Sequence, residues 1–276
     1  MSKIKNIIYR LIDLVRTEKQ VPIITSLPQS QMLENKVAMI SGGTGGIGIS
    51  IAQKFLADGC SVIITGTSSK SVEKGLEKLN SDSATGVILD MQSANSFKKK
   101  VDEASRIFGK IDILVNCAGL NDSSSFLDVT EEIYDRIMNV NSKGVYFLTQ
   151  AVAKYMIKNE LKGHILNISS ASALRPASTP YTISKWTVAG MTKGFADVLI
   201  KYGITVNAIA PGPVATEMVG VTNLDDIGHK TSPSSRYALP EEIANLAEYL
   251  VSSQGDLIVG ETVYITGGSG TISYHN

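Results

Sequence analysis

The segment VAMISGGTGGIGISIAQKFLADG, residues 37–59, decides the fold of this chain. A short apolar strand (VAMIS, 37–41) is followed by a glycine-rich turn and then by a helical pattern. Strand, glycine-rich turn and helix in this order are typical of a βαβ unit that holds a dinucleotide. A glycine-rich turn alone is weaker evidence, because glycines also serve tight turns that hold no ligand.

The rest of the chain repeats the alternation of strand and helix. Helical stretches separate further strand-like runs: SVIIT (61–65), GVILD (86–90), IDILVN (111–116), HILNIS (164–169), ITVNAIA (204–210) and TVYIT (262–266). Near-continuous apolar strands with helices between them indicate a parallel sheet covered on both faces. We therefore predict an α/β fold: one Rossmann-type, doubly wound parallel sheet of about seven strands, formed by residues 36–276.

The composition argues against several classes of protein. The 26 basic and 26 acidic side chains cancel, whereas nucleic-acid binders usually carry a basic excess. Cys60 and Cys117 lie in strand-like segments far from any second cysteine or histidine cluster. We therefore predict no disulfide and no metal site, and a reducing cytoplasm as the location. No apolar run approaches the length that crosses a bilayer.

The first 35 residues are predicted to form a separate segment, an amphipathic helix and a linker that ends near Asn35. Apolar residues in 3–19 follow helical spacing: Ile4, Ile7, Ile8, Leu11, Ile12 and Val15. Two interpretations stay open for this helix. It packs on the body of the protein or on a sister subunit, which we favour, or it lies on an anionic membrane surface.

The glycine-rich turn predicts the phosphate end of a cofactor site. Its glycines let the chain bend sharply and approach a pyrophosphate, and the next helix directs free N–H groups at that anion. The predicted contacts at this turn are Gly42, Thr44, Gly45, Gly46, Ile47 and Gly48.

The end of the second strand indicates which dinucleotide binds. An acidic residue there would accept hydrogen bonds from the ribose and repel a 2′-phosphate. This chain instead has Thr67, Ser68, Ser69 and Lys70, whose hydroxyls, N–H groups and cation suit a phosphate. The pattern favours NADP(H) over NAD(H), although no arginine is present and a plain turn with a helix cap is the competing interpretation.

Two further strand ends supply predicted cofactor contacts. Asp90, followed by Met91, ends the third strand, where its carboxylate would accept from an adenine amino group or cap a helix. In NCAG (116–119), Asn116, Ala118 and Gly119 would let the backbone face the adenosine half. Cys117 is interpreted as a small buried filler, since no base partner is evident.

Taken together, the ordered motifs from about Lys36 to Gly268 resemble a classical short-chain dehydrogenase/reductase, and 3-oxoacyl-carrier-protein reductases in particular. The motifs are SGGTGGIG, Asp90, NCAG, NVNSKG, NISS, YTISK (181–185), NAIAPGPVATEM, PEEIA and TGG. The resemblance implies four catalytic residues: Asn141, Ser170, Tyr181 and Lys185. It also places Pro211, Gly212, Val214 and Thr216 against the nicotinamide.

The resemblance also implies roles for the catalytic residues. Tyr181 would exchange a proton with the substrate oxygen, because the Lys185 ammonium one helical turn away favours its phenolate. Ser170 would hydrogen-bond the same oxygen. Lys185 would also hold the nicotinamide ribose, so that both Tyr181 and Lys185 contact the cofactor, and Asn141 would support a proton relay through water.

The chain departs from the family pattern between Ser170 and Tyr181, which are closer by about two residues than is usual. Ser169 is therefore a second candidate for the serine role. Arg175, in the shortened loop, either contacts an anionic substrate or serves structure and solvent. Residues 217–238 are polar and rich in turn residues, which predicts a mobile lid over the substrate.

The predicted function is an NADP(H)-dependent oxidoreductase that interconverts a ketone and a secondary alcohol, with 3-oxoacyl thioesters, bound to carrier protein or to CoA, ahead of polyols or sugars such as gluconate. A non-catalytic dinucleotide-binding protein on the same fold is the alternative from another class. By family analogy we expect a homo-oligomer, a tetramer or a dimer.

Overall fold

A computed structural model of the chain describes residues 31–217, 220–221, 227–230 and 232–272. The predicted N-terminal helix (3–19) lies outside the described residues. The end of the predicted linker does not, and it packs onto the domain. Leu33 is fully buried in the core, and its N–H donates to the Asp58 carbonyl at 3.1 Å.

Seven strands form one sheet in which every neighbouring pair is parallel, in the order β3-β2-β1-β4-β5-β6-β7. The strands are β1 (Val37–Ser41), β2 (Ser61–Gly66), β3 (Ala84–Ile88), β4 (Ile113–Asn116), β5 (Gly163–Ile168), β6 (Ile204–Pro211) and β7 (Thr262–Ile265). The predicted doubly wound parallel sheet is confirmed.

Helices connect the strands. They are α1 (Gly46–Ala57), α2 (Ser69–Leu79), α3 (Phe97–Ile107), α4 (Glu131–Met138), α5 (Val145–Lys158), α6 (Pro180–Leu199) and α7 (Pro240–Val251). A π-helical turn (Asn139–Gly144) joins α4 to α5, and a 3₁₀ turn (Ala171–Leu174) follows β5.

Two hydrophobic cores cover the two faces of the sheet. Successive strand residues point to opposite faces, so Ile40 and Ile64 pack with α1 and α7 while Met39 and Ile63 pack with α3 and α5. The four isoleucine and methionine side chains are completely buried. Helices on both faces explain why the central strands are apolar along their whole length.

The order of the strands positions the site. The chain runs outward from β1 to β3 and then returns to place β4 on the other side of β1. Connections therefore diverge between β1 and β4, where Ser41 lies beside Asn116 at the carboxyl ends. In open α/β sheets, ligands bind in the crevice that forms at this point.

Candidate active site

A cavity of about 470 Å³ opens at the carboxyl edge of the sheet, at the divergence between β1 and β4. Most of the predicted site residues line it: Gly42, Thr44, Gly45, Gly46, Ile47, Gly48, Thr67, Asp90, Met91, Ala118, Gly119, Ser170, Tyr181, Lys185, Pro211, Gly212, Val214 and Thr216. Ser169 lines it as well. The predicted residues Ser68, Ser69, Lys70, Asn116 and Asn141 are not part of the wall.

Three glycines at the glycine-rich turn leave no room for a side chain. Gly42 has a φ of +67°, and a Cβ there would lie 2.7 Å from the Cα of Ala118. A Cβ on Gly46 would lie 2.6 Å from Cγ2 of Thr216, and one on Gly48 would collide with the Gly42 carbonyl oxygen. The turn therefore presents bare backbone to the cavity at the N-terminus of α1, which suits a bound phosphate.

At the end of β2, the hydroxyl groups divide between the cavity and the helix. Thr67 lines the cavity and so does Ser71 in the first turn of α2, which sequence reasoning missed. Ser68 is the N-cap of α2, and its hydroxyl accepts the Ser71 N–H at 3.2 Å. Its side chain therefore serves as a helix cap, the alternative to phosphate binding given above. Ser69 and Lys70 are exposed beside it.

Asp90 follows β3 and lines the cavity. One oxygen accepts the backbone N–H of Gln92 at 3.0 Å, which ends the strand with a local turn. Asp90 caps no helix, since the next helical residues are a 3₁₀ turn (Ala94–Ser96), whose N-cap is Ser93, and then α3. Gln92 also lines the cavity and was not predicted.

Asn116 has a structural role instead of a place on the cavity wall. Its side-chain amide is buried and donates to the hydroxyl of Thr149 and to the side-chain oxygen of Asn167, each at 2.9 Å. These bonds join β4 to β5 and α5 beneath the cavity. Cys117, the next residue, lies on the wall, where burial raises the pKa of its thiol to about 12. Such a thiol is protonated at neutral pH and is a poor nucleophile.

Asn141 lies in the π-helical turn and is 1% exposed. Its side-chain oxygen accepts the Leu120 N–H at 2.8 Å, while its nitrogen donates to the Leu120 carbonyl at 2.9 Å and to the Ser184 hydroxyl at 3.1 Å. A Cβ on Gly119 would lie 3.6 Å from the Asn141 oxygen and 3.8 Å from the Lys185 ammonium. Asn141 therefore supports the wall from behind.

The two candidate serines differ in what their hydroxyl groups do. Ser169 is 3% exposed and donates its proton to the Lys185 carbonyl at 3.0 Å. Ser170 is half-buried and accepts the Ser172 N–H at 3.1 Å, as the N-cap of the 3₁₀ turn. Within the described residues, no hydrogen bond uses the Ser170 proton, which leaves it free to reach a ligand.

Tyr181 and Lys185 share one face at the start of α6, as the spacing predicts. Thr179 and Thr182 form a reciprocal capping box, and Pro180 begins the helix. Lys185 is 7% exposed, and its ammonium donates to the Ile168 carbonyl at 3.0 Å. The same ammonium lies 5.6 Å from the centre of the Tyr181 ring, so a buried positive charge faces the phenol across the cavity wall.

The segment after β6 forms the wall on the opposite side. Val214 pairs with Ala238 in an isolated parallel bridge, and Ala238 donates to the Pro213 carbonyl at 2.9 Å. These bonds attach the C-terminal end of the predicted lid to the cavity. Within the lid, Gly228 and Arg236 form an antiparallel bridge; residues 218–219, 222–226 and 231 lie outside the described residues.

The residues of the wall that sequence reasoning missed are mostly apolar: Leu89, Leu120, Val140, Ile168 and Pro213, with Thr65 and Gly66 at the end of β2. Position next to a predicted strand end was the available signal for most of them. Among the described residues, no cluster of three metal-ligating side chains occurs, and no helix has the length and apolarity to cross a membrane.

The comparisons with known proteins agree with this geometry. A family model described as enoyl-(acyl carrier protein) reductase matches residues 42–270. Dehydrogenase/reductase SDR family member 4 of Sus scrofa is 33% identical over 254 residues, which cover 89% of this chain and 91% of the relative.

Two solved structures share the architecture. A 3-ketoacyl-(acyl-carrier-protein) reductase from Brucella melitensis, complexed with NADH, has a TM-score of 0.79 and 30% identity, with 87% of this chain and 100% of that chain covered. A gluconate 5-dehydrogenase from Burkholderia cenocepacia, in complex with NADP and tartrate, has a TM-score of 0.80 and 28% identity, with 89% and 99% covered. The chain belongs to the classical short-chain dehydrogenase/reductase family, whose members are NAD(P)(H)-binding oxidoreductases that act on CH–OH and carbonyl groups.

Proposed function

We propose that this chain is an NADP(H)-dependent reductase of 3-oxoacyl thioesters. The observation that carries the proposal is the position of Lys185, whose buried ammonium faces the Tyr181 ring at 5.6 Å beside the bare-backbone turn at Gly42. Among the described residues, this buried ammonium has one hydrogen-bond acceptor, the Ile168 carbonyl. Burial of a cation with so few partners is costly, which is typical of a group that serves a ligand or a reaction.

Tyr181 is the proposed proton donor to the substrate oxygen. Its phenol lines the cavity, and the nearby ammonium stabilises the phenolate that remains after the proton leaves. When an alcohol is oxidised, the Tyr181 phenolate takes the proton from the alcohol oxygen, so that Tyr181 serves both directions of the reaction. A bound nicotinamide dinucleotide supplies or accepts the hydride at the substrate carbon.

Ser170 is the proposed donor that fixes the substrate oxygen beside Tyr181. Its oxygen is held by the Ser172 N–H, so the hydroxyl is oriented while its proton stays available. Ser169 is less suited, because its proton is already given to the Lys185 carbonyl. We assign Asn141 a supporting part in the proton relay, because its two hydrogen bonds to the Leu120 main chain fix the wall beside Lys185.

The residues on the wall fit a nicotinamide dinucleotide. The turn from Gly42 to Gly48 would bind the pyrophosphate. Asp90 would accept a hydrogen bond from the adenine amino group, and the segment from Pro211 to Thr216 would border the nicotinamide. At the β2 end, the wall carries the hydroxyls of Thr67 and Ser71 and no carboxylate, and Lys70 is exposed beside them. This surface supports NADP(H) ahead of NAD(H), because no negative charge there would repel a 2′-phosphate.

A polyol or sugar dehydrogenase is the second candidate function. The likeness to a gluconate 5-dehydrogenase has a TM-score of 0.80, close to the value of 0.79 for the 3-ketoacyl-(acyl-carrier-protein) reductase. Sugar hydroxyls would need polar side chains on the cavity wall as hydrogen-bond partners. On the side of Gly119, the wall also carries two apolar side chains, Leu120 and Val140. The apolar character of that side supports the acyl substrate.

The surface supports a homo-oligomer of this enzyme. On α5, Tyr146 and Phe147 are 42% and 39% exposed, and on α6, Val198 is 57% exposed. Aromatic and branched side chains exposed on adjacent helices are typical of a surface that pairs with a second copy. The free thiols of Cys60 and Cys117 are consistent with a reducing cytoplasm.

One spectrophotometric screen tests the proposed function. Purified full-length protein is mixed with NADPH or NADH and with acetoacetyl-CoA, 5-ketogluconate or 2,3-butanedione, and the loss of absorbance at about 340 nm is followed. We expect the largest kcat/KM for NADPH with acetoacetyl-CoA. A preference for ketogluconate would establish the second candidate, and no turnover with any compound would favour a non-catalytic binding protein.

A further inference from the structure

Arg175 lies between the parts of the site that carry the proposed catalytic residues. It ends the 3₁₀ turn that begins at Ser170, and its own N–H donates to the Ser172 carbonyl at 3.2 Å. Trp186, which directly follows Lys185 on α6, donates its indole N–H to the Arg175 carbonyl at 2.9 Å. The main chain of Arg175 thus connects the 3₁₀ turn that follows Ser170 to α6, the helix of Tyr181 and Lys185.

The side chain of Arg175 reaches in the other direction, to the C-terminal end of the domain. Its Nη2 donates to the hydroxyl of Ser269 at 2.7 Å. Arg175 itself is exposed, whereas Ser269 is 5% exposed. A guanidinium held on a buried hydroxyl is anchored at that end, because the hydroxyl has little room to move.

Ser269 belongs to a glycine turn, residues 266–270, that contacts two other walls of the cavity. Gly267 accepts the N–H of lid residue Ser234 at 3.0 Å. A Cβ on Gly212 would lie 2.6 Å from the Thr266 carbonyl oxygen. The glycine turn therefore contacts Ser234 and the segment after β6. The Arg175 side chain connects it to the 3₁₀ turn that follows Ser170.

We propose that Arg175 is a positioning residue that holds Ser170 in register with Tyr181 and couples this side of the site to the segment 232–238 through Ser269. The inference rests on the proposed function for its effect on turnover, but its effect on residues 232–238 does not depend on any substrate. The guanidinium spans the distance from the end of the 3₁₀ turn to the glycine turn.

Hydrogen–deuterium exchange of the full-length protein tests the coupling without a substrate. The variants are Arg175→Ala, Ser269→Ala, their combination, Arg175→Lys and the exposed control Arg106→Ala. We expect about tenfold faster exchange at 171–175 and 232–238 in the first two, as loss of a charge-assisted hydrogen bond implies. The combination should be no faster than either, Arg175→Lys should recover part of the protection, and Arg106→Ala should match the parent.

Turnover is measured on the same variants with NADPH and the fastest of acetoacetyl-CoA, 5-ketogluconate and 2,3-butanedione. We expect kcat to fall about tenfold in Arg175→Ala and in Ser269→Ala, with the KM for NADPH unchanged. Parent-like exchange at 232–238 in both variants would overturn the proposal, as would an unchanged kcat.

A rise in the substrate KM confined to Arg175→Ala would also overturn the proposal, because it would assign the guanidinium to substrate binding. If the parent reduces none of the three compounds, the exchange measurements still decide the coupling, and only the proposed function fails.

Discussion

Asn141 holds Leu120 from both sides of its peptide unit: the side-chain oxygen accepts the Leu120 N–H at 2.8 Å, and the side-chain nitrogen donates to the Leu120 carbonyl at 2.9 Å. This pairing fixes the chain immediately after Gly119, where a Cβ would lie 3.8 Å from the Lys185 ammonium. The Asn141 amide therefore fixes the chain beside Lys185. It lies in a π-helical turn, a kind of irregularity that is frequent at functional sites.

Replacement of Asn141 by alanine should lower the free energy of unfolding by about 2 kcal/mol, because the Leu120 N–H and carbonyl lose their partner. Urea unfolding followed by circular dichroism measures the change, with the exposed Asn95→Ala as the matched control. Equal midpoints for Asn141→Ala and Asn95→Ala would show that the amide contributes nothing to stability.

The change Tyr181→Phe should lower kcat at least about 100-fold, since it removes the proposed proton donor while the ring keeps its place. The KM for NADPH should stay near that of the parent. Steady-state kinetics with the best compound of the screen measure both, and Tyr134→Phe, on the exposed face of α4, serves as control. Parent-like turnover by Tyr181→Phe would rule out the proposed mechanism.

A carboxylate at position 67 should reverse the cofactor preference. In Thr67→Asp, the new negative charge faces the proposed 2′-phosphate, so we expect the KM for NADPH to rise at least about tenfold while the KM for NADH changes little. Ser81→Asp, beyond the far end of α2, controls for the added charge. If NADPH and NADH respond equally to Thr67→Asp, the 2′-phosphate does not lie at the end of β2.

The ion pair between Arg236 and Glu242, the latter in the first turn of α7, should make stability depend on pH. Arg236 forms two hydrogen bonds of 2.7 Å with Glu242, and together with the Leu239 N–H it lowers the pKa of the Glu242 carboxyl to about 2. A lowered carboxyl pKa stabilises the folded state above the unfolded-state value of about 4.3, and this contribution is lost as the pH falls towards 2.

Replacement of Glu242 by glutamine isolates the contribution of this ion pair to the free energy of unfolding. At pH 7, Glu242→Gln should be less stable than the parent by about 0.5–1 kcal/mol, a value kept small because the pair is partly exposed. The difference should shrink between pH 4 and pH 2, which urea unfolding at several pH values measures. Glu241→Gln, one residue earlier in α7, is the control, and a difference that persists at pH 2 would contradict the assignment.

Much of the fold could be predicted, because burial on both faces makes each central strand apolar along its length. The bounds of the edge strand β3 were predicted wrongly. A strand was predicted over 86–90, but β3 spans Ala84–Ile88, because the Asp90 carboxylate binds the Gln92 N–H and turns the chain away. Local patterns do not show which side chain an edge strand uses to end its pairing.

The site was predictable where one motif contains the whole geometry, as for Tyr181 and Lys185 one turn apart on α6. The site was not predictable where a side chain can either cap a helix or line the cavity. The run at 67–70 reads as phosphate-binding throughout, yet Ser68 caps α2 and Ser71 lines the cavity instead. The bond from Arg175 to Ser269 joins residues 94 positions apart, and no short-range pattern indicates it.

The entirely parallel sheet has a consequence for how the chain reaches its native state. Neighbouring strands in such a sheet cannot be joined by tight hairpins, and the Asp112 carboxylate that holds the Val37 N–H at 2.9 Å lies 75 positions away. Pairings this distant must close large loops before they return any stabilisation, which makes refolding slow and leaves apolar strands open to aggregation meanwhile. Recovery of active enzyme from denaturant should accordingly be best in dilute solution.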